Sequence, residues 1–246
     1  MSAHPETADA SPVAVVIPAA GQGLRMGGGV PKQARRLGGV PVLARTLARL
    51  TAHPDVTVAV VAVPEADLNA YRAMLGGAAR AGVEVRVVAG GASRQASVAA
   101  AVAALPEDVA VVLVHDAVRP FVPLPVVAAV VEAARAHGAA VPAVPLADTL
   151  RRASVEAGGG GGVFGVTVAR DGLFQVQTPQ GFRADLLRAA IAHAATTGAP
   201  DATDDAALVA ALGHAVRLVP GDRRAFKLTT PDDWALAEAL LAAGTR

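Results

Sequence analysis

Short apolar runs alternate with longer amphipathic segments over residues 13–144. Strands are predicted at residues 13–17, 56–63, 83–88, 109–114 and 139–144, and helices at residues 40–50, 66–75, 93–105 and 125–137. Because these strands are apolar on both faces, we expect helices to cover both sides of the sheet. The alternation predicts an α/β fold with a doubly wound, mostly parallel, Rossmann-like sheet.

The pattern changes after Pro145. Residues 148–177 have no helical periodicity, and their polar, β-capable flanks enclose a glycine-rich stretch at 157–162. This predicts a protruding β-hairpin arm, although a flexible linker between two domains would have a similar composition. Further on, helices are predicted at 183–196 and 204–212, a strand at 215–219, and a last helix with Thr230 as its N-cap and Pro231 in its first turn. This remainder is short for a second domain, so residues 1–246 are predicted to form one domain, with residues 1–12 as a flexible tail.

Composition excludes several classes of protein. The chain is 53% hydrophobic with a formal net charge of +1, which argues against disorder, and it has no cysteine, which excludes disulfide scaffolds, zinc–thiolate sites and thiol catalysis. No apolar run approaches the roughly 18 residues of a membrane span, and no secretory signal is evident. A near-neutral charge and 3% aromatic residues argue against nucleic-acid binding. We therefore expect a cytoplasmic protein that binds neither membranes nor nucleic acid.

The loop after the first strand has the small residues and cations of a phosphate site. It runs through residues 18–27 and continues to Pro31-Lys32-Gln33, but it lacks the Gly-Lys-Ser/Thr of a P-loop. The dinucleotide fingerprint also fails, because Met26 occupies the third glycine position and no acidic residue lies between Asp9 and Asp55. Small residues let backbone N–H groups approach a phosphate, while Arg25 and Lys32 would supply charge. The other nearby cations, Arg35, Arg36, Arg45 and Arg49, are typical of a solvated helix face.

A series of collinear motifs makes the interpretation specific. They are Ala-Ala-Gly-x-Gly-x-Arg-Met at 19–26, Pro-Lys-Gln at 31–33, and the segments 90–98, 114–120, 148–149, 178–180, 203–205 and 227–229. From Val13 to Leu241 the chain resembles the 2-C-methyl-D-erythritol 4-phosphate cytidylyltransferases, nucleotidyltransferases of the non-mevalonate isoprenoid route. The resemblance implies that the phosphate of 2-C-methyl-D-erythritol 4-phosphate attacks the α-phosphorus of CTP in line. The products would be 4-diphosphocytidyl-2-C-methyl-D-erythritol and pyrophosphate, with Mg²⁺ as the cofactor.

This chemistry requires positive charge more than it requires a base. The second pKa of a phosphate monoester is about 6, so the attacking oxygen is already an anion at neutral pH. The barrier lies in bringing two anions together and in stabilising the charge that develops at phosphorus. We therefore expect arginine and lysine side chains, and no catalytic histidine, in the active site.

The resemblance also implies roles for individual residues. The nucleotide would be bound by Ala19, Ala20, Gly21, Gly23, Arg25, Lys32, Gly91, Ser97, Asp116 and Ala117. The acceptor would be bound by Asp116, Arg119, Thr149, Arg170, Thr203 and Lys227. The catalytic residues would be Arg25, Lys32, Arg170 and Lys227, and Asp116 would help to hold Mg²⁺. Ala92 departs from the family, because many relatives have a polar or acidic residue at this position, so a side-chain contact to the nucleotide is lost there.

In the family that the chain resembles, the arm packs around a second subunit. Arg170 lies in the second half of the predicted arm, so the resemblance implies a homodimer in which this arginine completes the active site of the neighbour. The partners predicted from sequence are therefore CTP, a small polyol phosphate and a second copy of the chain.

The residues alone also allow other functions. A cytidylyltransferase acting on ribitol 5-phosphate or a similar alditol phosphate would share most of the motifs. A nucleotide-binding protein without activity is a second alternative, although Arg25, Lys32, Arg170 and Lys227 are all present. His115-Asp116 would fit a metal phosphohydrolase, but the other histidines have no metal-ligand spacing.

Overall fold

The computed structural model describes residues 11–21, 29–155, 162–197, 202 and 204–244. The helices are α1 (Val42–Thr51), α2 (Leu68–Leu75), α3 (Arg94–Ala103), α4 (Leu124–His137), α5 (Ala184–Thr197), α6 (Asp205–Ala211) and α7 (Pro231–Ala242). The strands are β1 (Val13–Pro18), β2 (Arg36–Leu37), β3 (Val40–Pro41), β4 (Val56–Val63), β5 (Glu84–Ala89), β6 (Val111–Val114), β7 (Ala139–Pro145), β8 (Leu150–Arg151), β9 (Ser154–Val155), β10 (Gly162–Val163), β11 (Thr167–Val168), β12 (Phe174–Val176), β13 (Gln180–Arg183) and β14 (Arg217–Pro220).

The central sheet confirms the doubly wound α/β prediction. Strands β5, β4, β1 and β6 pair in that order and in parallel. The chain builds outward from β1 in one direction through β4 and β5, and then crosses to β6 on the other side. The order therefore reverses beside β1, and ligands of open α/β sheets bind at the carboxyl ends of the strands at such a point.

One antiparallel segment interrupts the parallel order. Strand β13 lies between β6 and β7 and is antiparallel to both, and β12 continues along the same edge of β7. Strand β14 pairs in parallel with the opposite edge of β7. The sequence pattern does not reveal β12 and β13, because they are short and have no clear alternation, and it wrongly predicts a helical Arg183, which ends β13. It also began α1 too early, because Val40 and Pro41 form β3.

The apolar core lies on both faces of the sheet. On one face β1 and β4 pack against α1, α2 and α4, and on the other face the sheet packs against α3, α5 and α6. Strand residues such as Val15 and Val16 are fully buried on opposite faces, which explains the continuous apolar runs in the sequence. No helix in the described part of the chain is long and apolar enough to cross a membrane.

The predicted arm contains two short antiparallel ladders. Strand β8 pairs with β11, and β9 pairs with β10. The glycine-rich stretch lies outside the described residues, except for Gly162, as does most of the predicted tail at residues 1–12. Residues 174–176 form β12 of the central sheet.

Candidate active site

A cleft of about 380 Å³ opens at the carboxyl ends of β1, β5 and β6. The residues after these strands place small side chains, two cations and a carboxylate around it, and Lys227, from the segment between β14 and α7, adds a third cation. Its lining consists of Pro18, Ala19, Ala20, Gly21, Lys32, Gln33, Gly91, Ala92, Ser93, Arg94, Ser97, Asp116, Ala117, Val118 and Lys227. The sheet topology therefore brings together residues from positions 18 to 227 of the chain.

Gln33 anchors the loop after β1. Its side chain is 5% exposed, and its Nε2 donates hydrogen bonds to the carbonyls of Ala19 at 2.7 Å and Gly21 at 3.1 Å. Two loop carbonyls are thus held by Gln33 at the cleft wall, next to Lys32 in the Pro-Lys-Gln motif. Gln33 belongs to that motif, but no role for its side chain could be predicted from the sequence.

The loop after β5 is built for close approach. A side chain at Gly90 would lie 2.5 Å from the Cβ of Ala20, so glycine is required where the two loops meet. Ser97 is 2% exposed on α3, and its hydroxyl donates to the carbonyl of Ser93 at 2.9 Å and accepts from the N–H of Gly91 at 3.2 Å. Ser97 therefore shapes this loop from within the protein.

Asp116 is the centre of the charge arrangement. Its Oδ2 lies 3.0 Å from Nε of Arg119 and 3.2 Å from Nζ of Lys227, and its Oδ1 lies 3.9 Å from Nε of Arg94. Burial alone would raise the pKa of this carboxyl. The nearby cations Lys227, Arg119 and Arg94 outweigh that effect and lower the pKa to about 2. Asp116 is therefore an anion throughout the physiological pH range.

His115 and Thr178 fix the backbone beside Asp116. Since Nε2 of His115 faces the carbonyl of Arg119 at 3.0 Å, this nitrogen carries the proton, and Nδ1 accepts from the Thr178 hydroxyl at 3.0 Å. The Thr178 oxygen in turn accepts from the N–H of Asp116 at 3.1 Å. Both ring nitrogens are occupied, which leaves neither for a metal. Across the described residues, no group of three or more His, Asp or Glu side chains could hold a metal ion, so the phosphohydrolase alternative gains no support.

His115 is expected to make the protein sensitive to mild acid. Burial lowers the pKa of this fully buried imidazole from 6.5 to about 4. The neutral ring therefore stabilises the fold fully above pH 6.5, and this contribution is lost as the pH falls towards 4. The loss amounts to about 3 kcal/mol of unfolding free energy. Urea unfolding at several pH values should show it, with His115→Asn as the control that lacks the titration. Equal pH slopes for the two proteins would contradict the assignment.

A second cavity of about 380 Å³ adjoins the first. Lys227 lines both cavities, and Arg119 lies between Asp116 and the second one. The second lining consists of Arg119, Val144, Pro145, Ala147, Asp148, Gln175, Val176, Gln177, Arg223, Phe226 and Lys227. Three cations facing one carboxylate make this cavity suited to a small anion that carries hydroxyl groups.

The structure places most of the predicted site residues together. Ala19, Ala20, Gly21, Lys32, Gly91, Ser97, Asp116, Ala117 and Lys227 line the first cleft, and Arg119 and Lys227 line the second cavity. Thr149 is exposed and lines neither cavity, and the exposed Arg170 donates a hydrogen bond to the carbonyl of Ala147. The predictions for Gly23, Arg25 and Thr203 lie outside the described residues.

Comparison with known sequences identifies a family that covers most of the chain. A profile of the family described as 2-C-methyl-D-erythritol 4-phosphate cytidylyltransferase matches residues 13–243. A protein of that name from Salinibacter ruber is 52% identical over 228 residues, which cover 93% of this chain and 92% of the relative. Another from Deinococcus radiodurans is 49% identical, covering 92% of this chain and 88% of the relative.

Solved structures agree with the sequence comparison. The crystal structure of 2-C-methyl-D-erythritol 4-phosphate cytidylyltransferase from Thermus thermophilus superposes with a TM-score of 0.75 at 42% identity. The match covers 94% of this chain and 99% of that one. The enzyme of the same name from Francisella tularensis has a TM-score of 0.76 at 27% identity, covering 93% of this chain and 99% of that one.

Proposed function

Because this chain belongs to the 2-C-methyl-D-erythritol 4-phosphate cytidylyltransferase family, we propose that its first cleft binds CTP and its second cavity binds the acceptor. The protein is a CTP-dependent nucleotidyltransferase that transfers the cytidylyl group of CTP to the phosphate of 2-C-methyl-D-erythritol 4-phosphate and releases pyrophosphate. One observation carries the proposed arrangement: Lys227 lines both cavities and lies 3.2 Å from Asp116. A cation at this junction is suited to bring two phosphates together.

The nucleotide site is proposed along the loops after β1 and β5. Ala19, Ala20 and Gly21 would offer their backbone to the triphosphate, and Lys32 would supply charge from the same side. At the other end of the cleft, the nucleoside of CTP would lie against Gly91, Ser97 and Ala117. Gly23 and Arg25 are added on the resemblance of their motif.

The acceptor site is proposed in the second cavity. Arg119 and Lys227 would hold the incoming phosphate and aim it at the nucleotide, while Asp116 would accept a hydrogen bond from an acceptor hydroxyl. Thr149, Arg170 and Thr203 are assigned to the acceptor by resemblance. The exposure of Arg170 and Thr149 is compatible with a site that a second subunit completes.

The proposed transfer needs no protein base. The acceptor phosphate is already ionised at neutral pH, and His115 is buried and neutral, with both ring nitrogens engaged. Lys32 and Lys227 would offset the charge that develops as the acceptor oxygen approaches the α-phosphorus and pyrophosphate departs. Positioning and fixed charge would therefore supply the catalysis.

The donor atoms present fit magnesium held mainly by substrate. Mg²⁺ prefers carboxylate, phosphate and water oxygens, and is usually held by one or two carboxylates together with substrate phosphates. Asp116 is ionised, and its Oδ1 is farther from the surrounding cations than its Oδ2. We propose that this oxygen would help to hold the ion, whose charge would offset that of the triphosphate.

A homodimer is proposed from apolar residues exposed on the arm. Phe164 is 78% exposed, Val166 70% and Val163 54%, and the guanidinium of Arg151 lies 3.8 Å from the centroid of the Phe164 ring. Leu173, Phe174 and Val176 extend this surface onto β12. An exposed apolar surface of this kind is typical of a protein interface, and a second copy of the arm would cover it.

Charge on the arm is expected to dissociate the dimer and to abolish most activity. Phe164→Glu with Val166→Glu would bury two carboxylates in the interface, which costs far more than the contact gains. Sedimentation should then show monomers, and turnover should fall because Arg170 no longer reaches a neighbouring site. Leu236→Glu is the matched control, because Leu236 is 51% exposed on α7, away from the arm. A fully active monomer would refute the shared site.

Acceptor choice is tested by steady-state release of pyrophosphate with Mg²⁺. We expect 2-C-methyl-D-erythritol 4-phosphate with CTP to give the highest kcat/KM. Ribitol 5-phosphate, UTP and ATP, each tested in turn, should be much poorer substrates. A preference for ribitol 5-phosphate would overturn the acceptor assignment.

Because the substrates are charged phosphates that do not cross membranes, we propose that the enzyme works in the cytoplasm.

A further inference from the structure

Arg94 pairs with a buried carboxylate at the edge of the CTP cleft. Its Nη2 lies 2.7 Å from Oδ2 of Asp205, whose side chain is 1% exposed. Arg94 begins α3 and Asp205 begins α6, so the pair joins two helices that are far apart in the chain. Neither residue has a role in the assignments above, although Arg94 lines the cleft.

The free side of the Arg94 guanidinium faces Asp116. Arg119 and Lys227 approach Oδ2 of that carboxylate, whereas Nε of Arg94 lies 3.9 Å from Oδ1. Asp116 is therefore surrounded by cations on both of its oxygens. Because Asp205 holds one edge of the guanidinium, Nε of Arg94 is kept in a fixed direction relative to Asp116.

The carboxylate of Asp205 is not needed to build α6. Asp204 caps the helix by accepting from the N–H of Ala207 at 2.9 Å. Gln180, itself 1% exposed, accepts through Oε1 from the N–H groups of Asp205 at 3.1 Å and Ala206 at 3.0 Å. Among the described residues, the Asp205 carboxylate forms its hydrogen bond and ion pair with Arg94. Burying the Asp205 carboxylate is costly, and its pairing with the partly exposed guanidinium of Arg94 contributes little net stability, so a function other than stability is the better explanation.

We propose that Arg94 is a positioning residue that holds Asp116 in the orientation required for cytidylyl transfer, and that Asp205 is the counter-ion that holds Arg94. The inference rests on the proposed function, because it takes Asp116 to be part of the active site. It adds Arg94 and Asp205 to the charged residues that arrange this site.

Four variants test the proposal: Arg94→Lys, Arg94→Gln, Asp205→Asn and the double variant Arg94→Gln/Asp205→Asn. We expect Arg94→Gln to lower kcat about 10–100-fold, with less than about a threefold change in KM for CTP. Arg94→Lys should lose less kcat than Arg94→Gln, because lysine keeps the positive charge. The recovery should be partial, because lysine lacks the planar pair of donors of a guanidinium. Asp205→Asn should lower kcat about 10-fold, and the double variant should be no slower than Arg94→Gln alone.

Several outcomes overturn the proposal. An unchanged kcat with a lower Tm would make the pair purely structural, and a raised KM for CTP at constant kcat would make Arg94 a nucleotide ligand. If the double variant lost kcat by the product of the two single losses, Asp205 would act independently of Arg94. Arg183→Gln is the control, because Arg183 forms an exposed ion pair with Asp185. If a single Arg94 variant fails to fold, Asp205→Asn still decides the result. Wild-type protein inactive with CTP and acceptor would refute the proposed function itself.

Discussion

Replacing Lys32 by alanine is expected to lower kcat by about 10²–10³-fold, the usual loss when one preorganised charge is removed from a transition state. Lys32 lines the cleft proposed to bind CTP, directly beside Gln33, which is tied to the loop after β1. Its ammonium group is therefore carried by a well-anchored backbone. Initial rates of pyrophosphate release at saturating CTP and acceptor will measure the loss.

A nearby cation provides the control for Lys32. Arg36 is exposed and donates to the carbonyl of Gly39 in the β2–β3 turn, so Arg36→Ala should keep near-normal turnover. If both variants lose activity equally, general positive charge is responsible and Lys32 has no special role. The sequence predicts a loss of the same order for Arg25→Ala, and near-normal turnover in either purified variant, Lys32→Ala or Arg25→Ala, would remove that residue from the catalytic assignment.

Replacing Asp116 by asparagine is expected to impair both catalysis and stability. The change leaves Arg94, Arg119 and Lys227 around a neutral side chain, and breaking a buried ion pair costs about 3 kcal/mol. We expect kcat to fall about 10²–10³-fold, because the cations that would meet both substrates lose the group that orients them. Because the pKa of Asp116 is about 2, the rate deficit should be the same at pH 6 and at pH 9.

The matched control for Asp116 is Asp185→Asn. Asp185 forms an exposed ion pair with Arg183 at 3.1 Å and accepts from the N–H of Leu186 at 2.8 Å in the first turn of α5, so its replacement should change the free energy of unfolding by about 1 kcal/mol or less. Urea unfolding measures stability, and assays on fully folded protein measure the catalytic part. An Asp116→Asn enzyme with wild-type turnover would show that the charge cluster is only structural.

Much of the fold could be predicted because its core strands are apolar on both faces. Strand β4 lies at the residues predicted for it, and α3 begins directly after the predicted start at Ser93, which caps it through its hydroxyl. Strands β12 and β13 could not be predicted in the same way. They are stabilised by pairing with β6 and β7, and a short segment such as Gln-Gly-Phe-Arg has no local pattern that reveals distant partners.

The candidate site was predictable where a motif already contained the chemistry. Lys32, Asp116 and Lys227 were selected from their motifs, and the structure gathers them around one cleft. Gln33 and Arg94 also lie in motifs of the sequence, at 31–33 and 90–98, but no role could be assigned to them. The hydrogen bond of Gln33 to Ala19 and the ion pair of Arg94 with Asp205 depend on the fold.

The sequence by itself determined that this protein has a parallel α/β core, a cation-rich phosphate loop and the motifs of a cytidylyltransferase. These properties follow from local periodicity and from the residue types that phosphate chemistry requires. Only the tertiary structure decided that Arg94, Arg119 and Lys227 share the carboxylate of Asp116, and that Lys227 joins two cavities. Those contacts connect residues far apart in the chain, and their strength depends on distance and burial, which no sequence pattern specifies.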